Sequence, residues 1–453
     1  MSLFPDPVRF DKARPLALEV ARGVAATGVD VLVVRDLLGQ VSLLLDDREQ
    51  RPDDAALSEW RDSLTTALGR YASSRPVVLG SSLFQPAALF DSPRIVDELD
   101  QPAGPGQGCI RWLESTVVGE DWSRVRQIPE ESGVRAPRVT LYGFKGGVGR
   151  STATAMLAKH LADLGNRVLV VDLDLESPGS GPLLLSEEAT PWYGLIDQLV
   201  ESAVGNAEGL DLVAQASNYD AKAGEIWVAP ARGKGAPGAV YSYVEKLNRI
   251  YADLPTKNGA GFADRLEEAI AACEEAVTRA SGTPDVILLD SRAGIHDIAA
   301  VAISRLCDLA LLFGADNAHT WNGYRDLFTA WRDAGQARVV RDRLRMVASM
   351  VPDSAERPMD AYLDSFRENA WSCFSVLYDD VPSGGDLHSF PSAYNPSPEE
   401  DSAPHSPIPI LFTLDLVGID AISTPGWSDR SFVKAAYDSF LTTATHLIFP
   451  GGP

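Results

Sequence analysis

The residues best suited to chemistry lie in the stretch Tyr142-Gly-Phe-Lys-Gly-Gly-Val-Gly-Arg-Ser-Thr152. It follows an apolar run, Arg138-Val-Thr-Leu-Tyr142, and opens a helix-like run over residues 151–164. A strand, a glycine loop and a helix N-terminus together make a phosphate cradle. Backbone N–H groups point inward, and the helix dipole adds about half a positive charge. The generic phosphate-loop pattern is G-x-x-x-x-G-K-[ST]. Here Phe144 stands in place of the first glycine and Arg150 in place of the lysine, while Lys145 precedes a glycine pair. Three carboxylates complete the set. Asp172 and Asp174 end one continuous apolar run, and Asp290 ends another. Carboxylates at the carboxyl ends of parallel strands sit where α/β sheets bind ligands, and they can hold a metal-bound water or align a nucleophile.

The elements that must position these residues are legible in order. The runs 167–176 and 284–290 are apolar throughout, as strands covered on both faces of a parallel sheet are. Gly165 closes the helix that follows the glycine loop. Residues 192–204 and 262–280 carry helical spacing, the latter through Phe262, Leu266, Ile270 and Cys273. The strand 225–231 leads into a short basic stretch, Arg232-Gly-Lys-Gly-Ala-Pro-Gly238, which could touch phosphate or a partner but reads first as a flexible surface loop. Strands are also expected at 309–313, 344–351, 374–378 and 408–412, with helices at 321–331 and 429–447. Residues 382–407, rich in Pro, Ser and Glu, read as a long surface loop or lid.

Residues 1–127 read as a separate α+β unit. A helix over 12–27 precedes strands at 29–34 and 40–45 joined by a hairpin. A second helix over 55–72 follows, with Asp53 or Asp54 as its N-cap, then strands at 76–79 and 110–118. No constellation of catalytic residues stands out there, so it reads as a recognition or assembly module. Residues 128–137 read as a linker that delivers the chain to a nucleotide-binding domain over 138–453. The fold class expected is α/β: a mostly parallel, doubly wound sheet of the P-loop NTPase kind, preceded by a small α+β domain.

Composition narrows the function. The chain has 453 residues, with 40 basic and 63 acidic side chains and a net charge of −23. That charge repels nucleic acid and anionic membrane on average, although a local basic patch could still bind. Four dispersed cysteines form no C-x-x-C pair, which gives no zinc or redox signature. No run of about 20 apolar residues suggests a membrane span. The first residues, Met-Ser-Leu-Phe-Pro-Asp, lack the marks of a signal peptide, so a cytoplasmic protein is expected.

The series Lys145-Gly-Gly-Val-Gly-Arg-Ser-Thr152 resembles the deviant Walker A motif of the ParA/MinD family of P-loop ATPases, K-G-G-x-G-K-[ST]-[ST]. Asp172, Asp174 and Asp290 lie where that family places its D-x-D element and Walker B aspartate. The resemblance covers roughly 138–448. It implies ATP and Mg²⁺ as ligands. Gly146, Gly147, Val148 and Gly149 would surround the phosphates, Arg150 would take the ordinary lysine position, and Thr152 would reach an α-phosphate oxygen. Ser151, Asp172 and Asp290 would stand at the metal. Lys145 would be the signature lysine acting across a dimer interface, and Asp174 would orient the attacking water. Met350 to Pro352, at the end of a later strand, would help seat the base. Arg292 would sense the γ-phosphate, meet a partner subunit or form an internal salt bridge.

The resemblance therefore implies a nucleotide-dependent homodimer working as an ATP-driven switch, with the N-terminal domain reaching an unidentified protein partner. A regulatory or phage-defence role fits that architecture. Two alternatives remain open at this point. One is a nucleotide sensor or scaffold in which Arg150 limits hydrolysis. The other is a ParA-type DNA partition ATPase, which the negative charge disfavours. A membrane-positioning role is discouraged because the last helix carries few cations.

Overall fold

A computed structural model describes residues 8–48, 51–92, 95–97, 106–115, 120–123, 125–126, 135–217, 219, 222–238, 240–251, 261–379, 393–416, 424 and 426–451. The chain divides into two compact units, Met1–Val118 and Gly119–Pro453.

In the first unit the strands β1 (Asp30–Arg35), β2 (Val41–Asp46), β3 (Ala72–Leu79), β4 (Ile95–Asp97) and β5 (Ile110–Glu114) form a sheet ordered β3-β2-β1-β5-β4. β1 pairs antiparallel with β2 and parallel with β5. The helices Phe10–Ala25 and Asp54–Leu68 bury Ala17, Ala21, Leu57 and Leu64 against one face of it. Asp53 caps the second helix by accepting from the Ala56 N–H at 2.7 Å, as a short carboxylate at that position should.

The second unit holds β6 (Arg138–Gly143), β7 (Arg167–Asp172), β8 (Ala214–Gln215), β9 (Glu225–Ala229), β10 (Val286–Asp290), β11 (Leu309–Gly314), β12 (Leu344–Val351) and β13 (Ile408–Leu411). Among the described residues they run β13-β12-β11-β6-β10-β7-β9-β8, and only β8 is antiparallel to its neighbour. The expected doubly wound, mostly parallel sheet is therefore present. β10 and β11 are buried at every position, because helices cover both faces and leave no polar side for alternation. The helices Arg150–Asp163 and Ser431–Ile448 pack on one face, and Phe262–Ala280 and Leu195–Ala203 on the other.

Two expectations differ from the structure. The division after Val118 falls ahead of the boundary expected at residue 127, and the described residues Trp122 and Arg126 join the second unit. The Trp122 ring lies 6.1 Å from that of Tyr142 and 5.9 Å from that of Trp331, and the Arg126 N–H donates to the Ser304 carbonyl at 2.8 Å. The expected linker lies mostly outside the described residues. Residues 374–378, read as a strand, instead finish the helix Met359–Phe374 and form a 3-10 turn, Ser375–Leu377. Their apolar residues serve a helix end because Phe374 packs on Phe328, 4.7 Å between rings. Of residues 382–407, read as a long surface loop or lid, 382–392 lie outside the described residues. The rest packs on the body, with Tyr378 Oη bonded to Nδ1 of the buried His405 at 2.6 Å.

Candidate nucleotide site

The strand order puts the carboxyl ends of β6, β10 and β7 side by side. This is where the glycine loop and the aspartates emerge. β6 hands the chain to the loop, and the helix Arg150–Asp163 follows at once, its N-cap Gly149 at φ 79°. Gly147 is left-handed too, at φ 77°, a region that side-chain-bearing residues resist. The loop's N-terminal-helix geometry leaves the first N–H groups of that helix without intrahelical partners, facing the loop. Gly146, Gly147 and Gly149 are exposed, while Val148 turns inward to the core. Phe144, in the place of a glycine, packs on Tyr324 at 6.3 Å between rings.

Asp172 and Asp290 are direct register partners on β7 and β10, and both are buried. Their surroundings differ. Asp172 Oδ1 accepts from the Asp174 N–H at 3.2 Å. Its Oδ2 accepts from the N–H groups of Gly179 and Gly181 at 3.0 and 2.9 Å. Burial and repulsion from Asp290 nevertheless hold its pKa well above the ordinary value. So Asp172 lies beside the expected metal position, but its oxygens are already engaged with backbone. Neither carboxylate oxygen of Asp290 has a hydrogen bond among the described residues, and the buried hydroxyls of Ser180 and Ser291 are likewise without one. Burial raises the Asp290 pKa, and the nearby Ser151 hydroxyl and Arg150 guanidinium draw it back.

Gly179 explains how these groups come so close. A Cβ there would collide with Ser151 Oγ and stand 3.6 Å from Asp290 Oδ2. A buried carboxylate without a donor is costly, so its retention beside a hydroxyl fits a hard cation. Ser151 and Asp290 offer only oxygen, the donor chemistry that Mg²⁺ prefers when phosphate and water complete its shell.

Arg150 does not reach toward the open loop. Its guanidinium is buried, donates to the Ser291 carbonyl and stands 3.8 Å from Asp174 Oδ2. Asp174 also accepts from the Ser177 N–H at 3.1 Å, and burial pushes its pKa up against the pull of Arg150. Lys145, by contrast, is exposed and makes no hydrogen bond or ion pair among the described residues. Arg292 pairs internally with Glu176 at 2.6 Å. Tyr251 donates to Glu176 as well, and His296 Nε2 lies 3.2 Å from Arg292. This tie between the segments after β7 and β10 was foreseen for Arg292 only as one option, and Glu176 and Tyr251 were missed. Nothing in their local pattern signals that they meet.

A cavity of about 340 Å³ opens beside the loop, lined by Gly147, Gly149, Thr152, Met350, Phe412 and Tyr437 among others. Met350 holds a left-handed φ of 56° at the irregular end of β12. Of Met350 to Pro352, expected to help seat the base, Met350 lines this cavity and Pro352 does not. Phe412 and Thr413, after β13, line it too and carried no sequence signal.

Residues 139–367, just over half of the chain, match the family described as the CobQ/CobB/MinD/ParA nucleotide binding domain. Over 76 residues the chain is 37% identical to the chromosome-partitioning ATPase Soj of Thermus thermophilus, a span of 17% of this chain and 30% of Soj. Over 171 residues it is 29% identical to an iron-sulfur cluster carrier protein of Pseudomonas fragi, 35% of this chain and 54% of that one. The chain thus spans 30% to 54% of the length of these relatives. Among solved structures, a ParA family ATPase from Chlorobium tepidum TLS aligns with a TM-score of 0.42 and 15% identity, over 69% of this chain and 99% of that one. With more than half of its length matched, including the glycine loop and the strand ends beside it, this chain belongs to the CobQ/CobB/MinD/ParA family of nucleotide-binding proteins.

Proposed function

We propose that the chain is a Mg²⁺-dependent ATPase that works as a nucleotide-driven dimerisation switch in the cytoplasm and controls a protein partner through its N-terminal unit. The observation that carries this reading is the buried carboxylate of Asp290, held by no backbone donor among the described residues and standing beside the Ser151 hydroxyl at the mouth of the glycine loop. Backbone N–H groups of Gly146, Gly147, Val148 and Gly149 bind phosphate oxygens, and Thr152 reaches the α-phosphate. Ser151 and Asp290 hold Mg²⁺, with Asp172 behind them fixing the turn at Gly179 and Gly181. Bound Mg²⁺ supplies the positive charge that offsets charge developing during phosphoryl transfer. Lys145 has no partner within the described chain and is free to meet a phosphate held by a second copy. Asp174 orients the attacking water once Arg150 releases it.

Turnover of ATP by the purified chain tests these roles. Lys145→Ala and Asp174→Ala are each expected to lower the rate by about tenfold or more, close to 1.4 kcal/mol of barrier. Unchanged rates in both variants would overturn the assignment.

A second reading has its own support. Arg150 is engaged with Ser291 and Asp174, not with the open loop. In that case the chain is a nucleotide sensor with little hydrolysis. Tight ATP binding without phosphate release favours it. Partition of DNA by this chain is the weakest reading, since a net charge of −23 opposes it.

A further inference from the structure

A second cavity, of about 590 Å³, has Asp172 in its wall. Its wall includes Pro178, Gly181 and Leu185, and its rim carries Arg232 and Lys234. These cations come from the basic stretch whose sequence reads as a flexible loop. The structure does not leave it loose. Leu195 and Ile196 N–H groups donate to the carbonyls of Pro230 and Ala231 at 2.9 and 3.2 Å. Lys234 and Gly235 N–H groups donate to the carbonyls of Pro191 and Trp192 at 3.0 and 2.9 Å. Four backbone bonds thus clamp the cation-bearing segment to the start of the helix Leu195–Ala203.

The cations themselves sit on prepared aromatic faces. The Arg232 guanidinium lies 5.2 Å from the ring of Tyr241 and 5.5 Å from that of Tyr243. Those two rings stack at 6.2 Å, and their hydroxyls are anchored on Asp197 and on the Leu175 carbonyl. Lys234 Nζ lies 4.5 Å from the ring of Trp192 and donates to the Glu188 carbonyl at 3.0 Å. An arginine stacked on a ring keeps its N–H edge outward, and that fork matches an oxyanion in bidentate fashion. Among the described residues Arg232 makes no hydrogen bond and no ion pair, in a chain that has a large excess of carboxylates.

We propose that this cavity is a second ligand site, which binds a phosphate-bearing small molecule of nucleoside-monophosphate type. Arg232 and Lys234 take the phosphate. Pro182, Leu185 and Pro230 offer an apolar wall to a flat ring, and Glu187 and Thr190 offer polar atoms to sugar hydroxyls. The volume falls within the roughly 300–1,000 Å³ usual for small-molecule sites. The two sites adjoin at Asp172, but no residue of the glycine loop lines this cavity, so substitution at Arg232 tests it separately.

The experiment titrates AMP, inorganic phosphate and tricarballylate into the full chain saturated with ADP, which keeps the glycine loop occupied, and follows heat or intrinsic fluorescence. AMP is expected to bind at least tenfold more tightly than inorganic phosphate or tricarballylate. Arg232→Ala is expected to weaken AMP at least tenfold, and Arg232→Lys by less, with ADP affinity and melting temperature unchanged in both. The proposal is overturned if AMP does not bind the ADP-saturated chain, if tricarballylate binds as well as AMP, or if Arg232→Ala leaves AMP affinity intact. Failure of ADP to bind at all would instead count against the nucleotide reading of the glycine loop, and AMP binding is then read on the chain alone by the same Arg232→Ala comparison.

Discussion

Two strand ends in this protein carry the same residue at the same register and the same depth, yet they hold it differently. Asp172, closing β7, is saturated by three backbone N–H groups. Asp290, closing β10, has no backbone donor among the described residues. A fully satisfied buried carboxylate is a structural anchor, because removing it strands its donors. A bare one lowers stability and is kept for something that arrives later. The contrast separates architecture from chemistry more sharply than burial or charge alone.

Replacing each aspartate in turn probes the contrast most strongly. Asp172→Ala leaves one buried and two part-buried N–H groups without an acceptor and is expected to cost about 2 kcal/mol in urea unfolding. Equal stability to the wild type would remove its anchoring role. Asp290→Asn should act the other way. It relieves a buried charge, so the nucleotide-free chain is expected to melt a few degrees higher. ATP turnover should nevertheless fall by about a hundredfold, or about 2.7 kcal/mol of barrier. A variant that lost stability and kept turnover would invert the comparison.

Arg150 supplies a finer probe, since it stands between the two segments. Arg150→Lys shortens the reach to Ser291 and Asp174, and turnover is expected to rise about fivefold, near 1 kcal/mol. A fall in rate would mean that the guanidinium itself assists the reaction.

The smallest effect concerns another satisfied buried group, far from the site. His405 accepts from Tyr378 Oη at Nδ1 and donates from Nε2 to the Pro398 carbonyl at 3.1 Å, an arrangement that suits the neutral ring. Burial lowers its pKa below the usual 6.5. The unfolded chain therefore binds the proton more readily. Stability from this group is full above about pH 6.5 and is lost as pH falls below it toward the folded value. His405→Gln should flatten the melting-temperature profile over that acidic window, and an unchanged slope would deny the ring this role.

The site was partly legible because its main signals are local. A glycine loop after an apolar strand, and aspartates at the ends of apolar runs, are read from neighbours in the chain. The parallel sheet followed from runs such as Val286–Asp290 that show no polar alternation. What stayed hidden depends on contacts between distant segments. The ion pair of Glu176 with Arg292 joins residues more than a hundred positions apart. The inward turn of Arg150 depends on where the Ser291 carbonyl lies. Residues 374–378 have the composition of a strand, and only packing against Phe328 makes them a helix end. Residues 230–235 look like a mobile loop by their glycines, and only the four backbone bonds to residues 191–196 show otherwise.

The borders of the large sheet carry one more consequence. Among the described residues, one border is β8, two residues long and antiparallel, and the other is β13, four residues long and containing Pro409. A strand that short offers few groups for pairing, and proline has no N–H to give. Joining two copies by extending the sheet is therefore disfavoured, and so is the uncontrolled edge-to-edge growth that leads to aggregates. The proposed dimer would then use the loop-bearing end of the sheet, where Lys145 stands exposed.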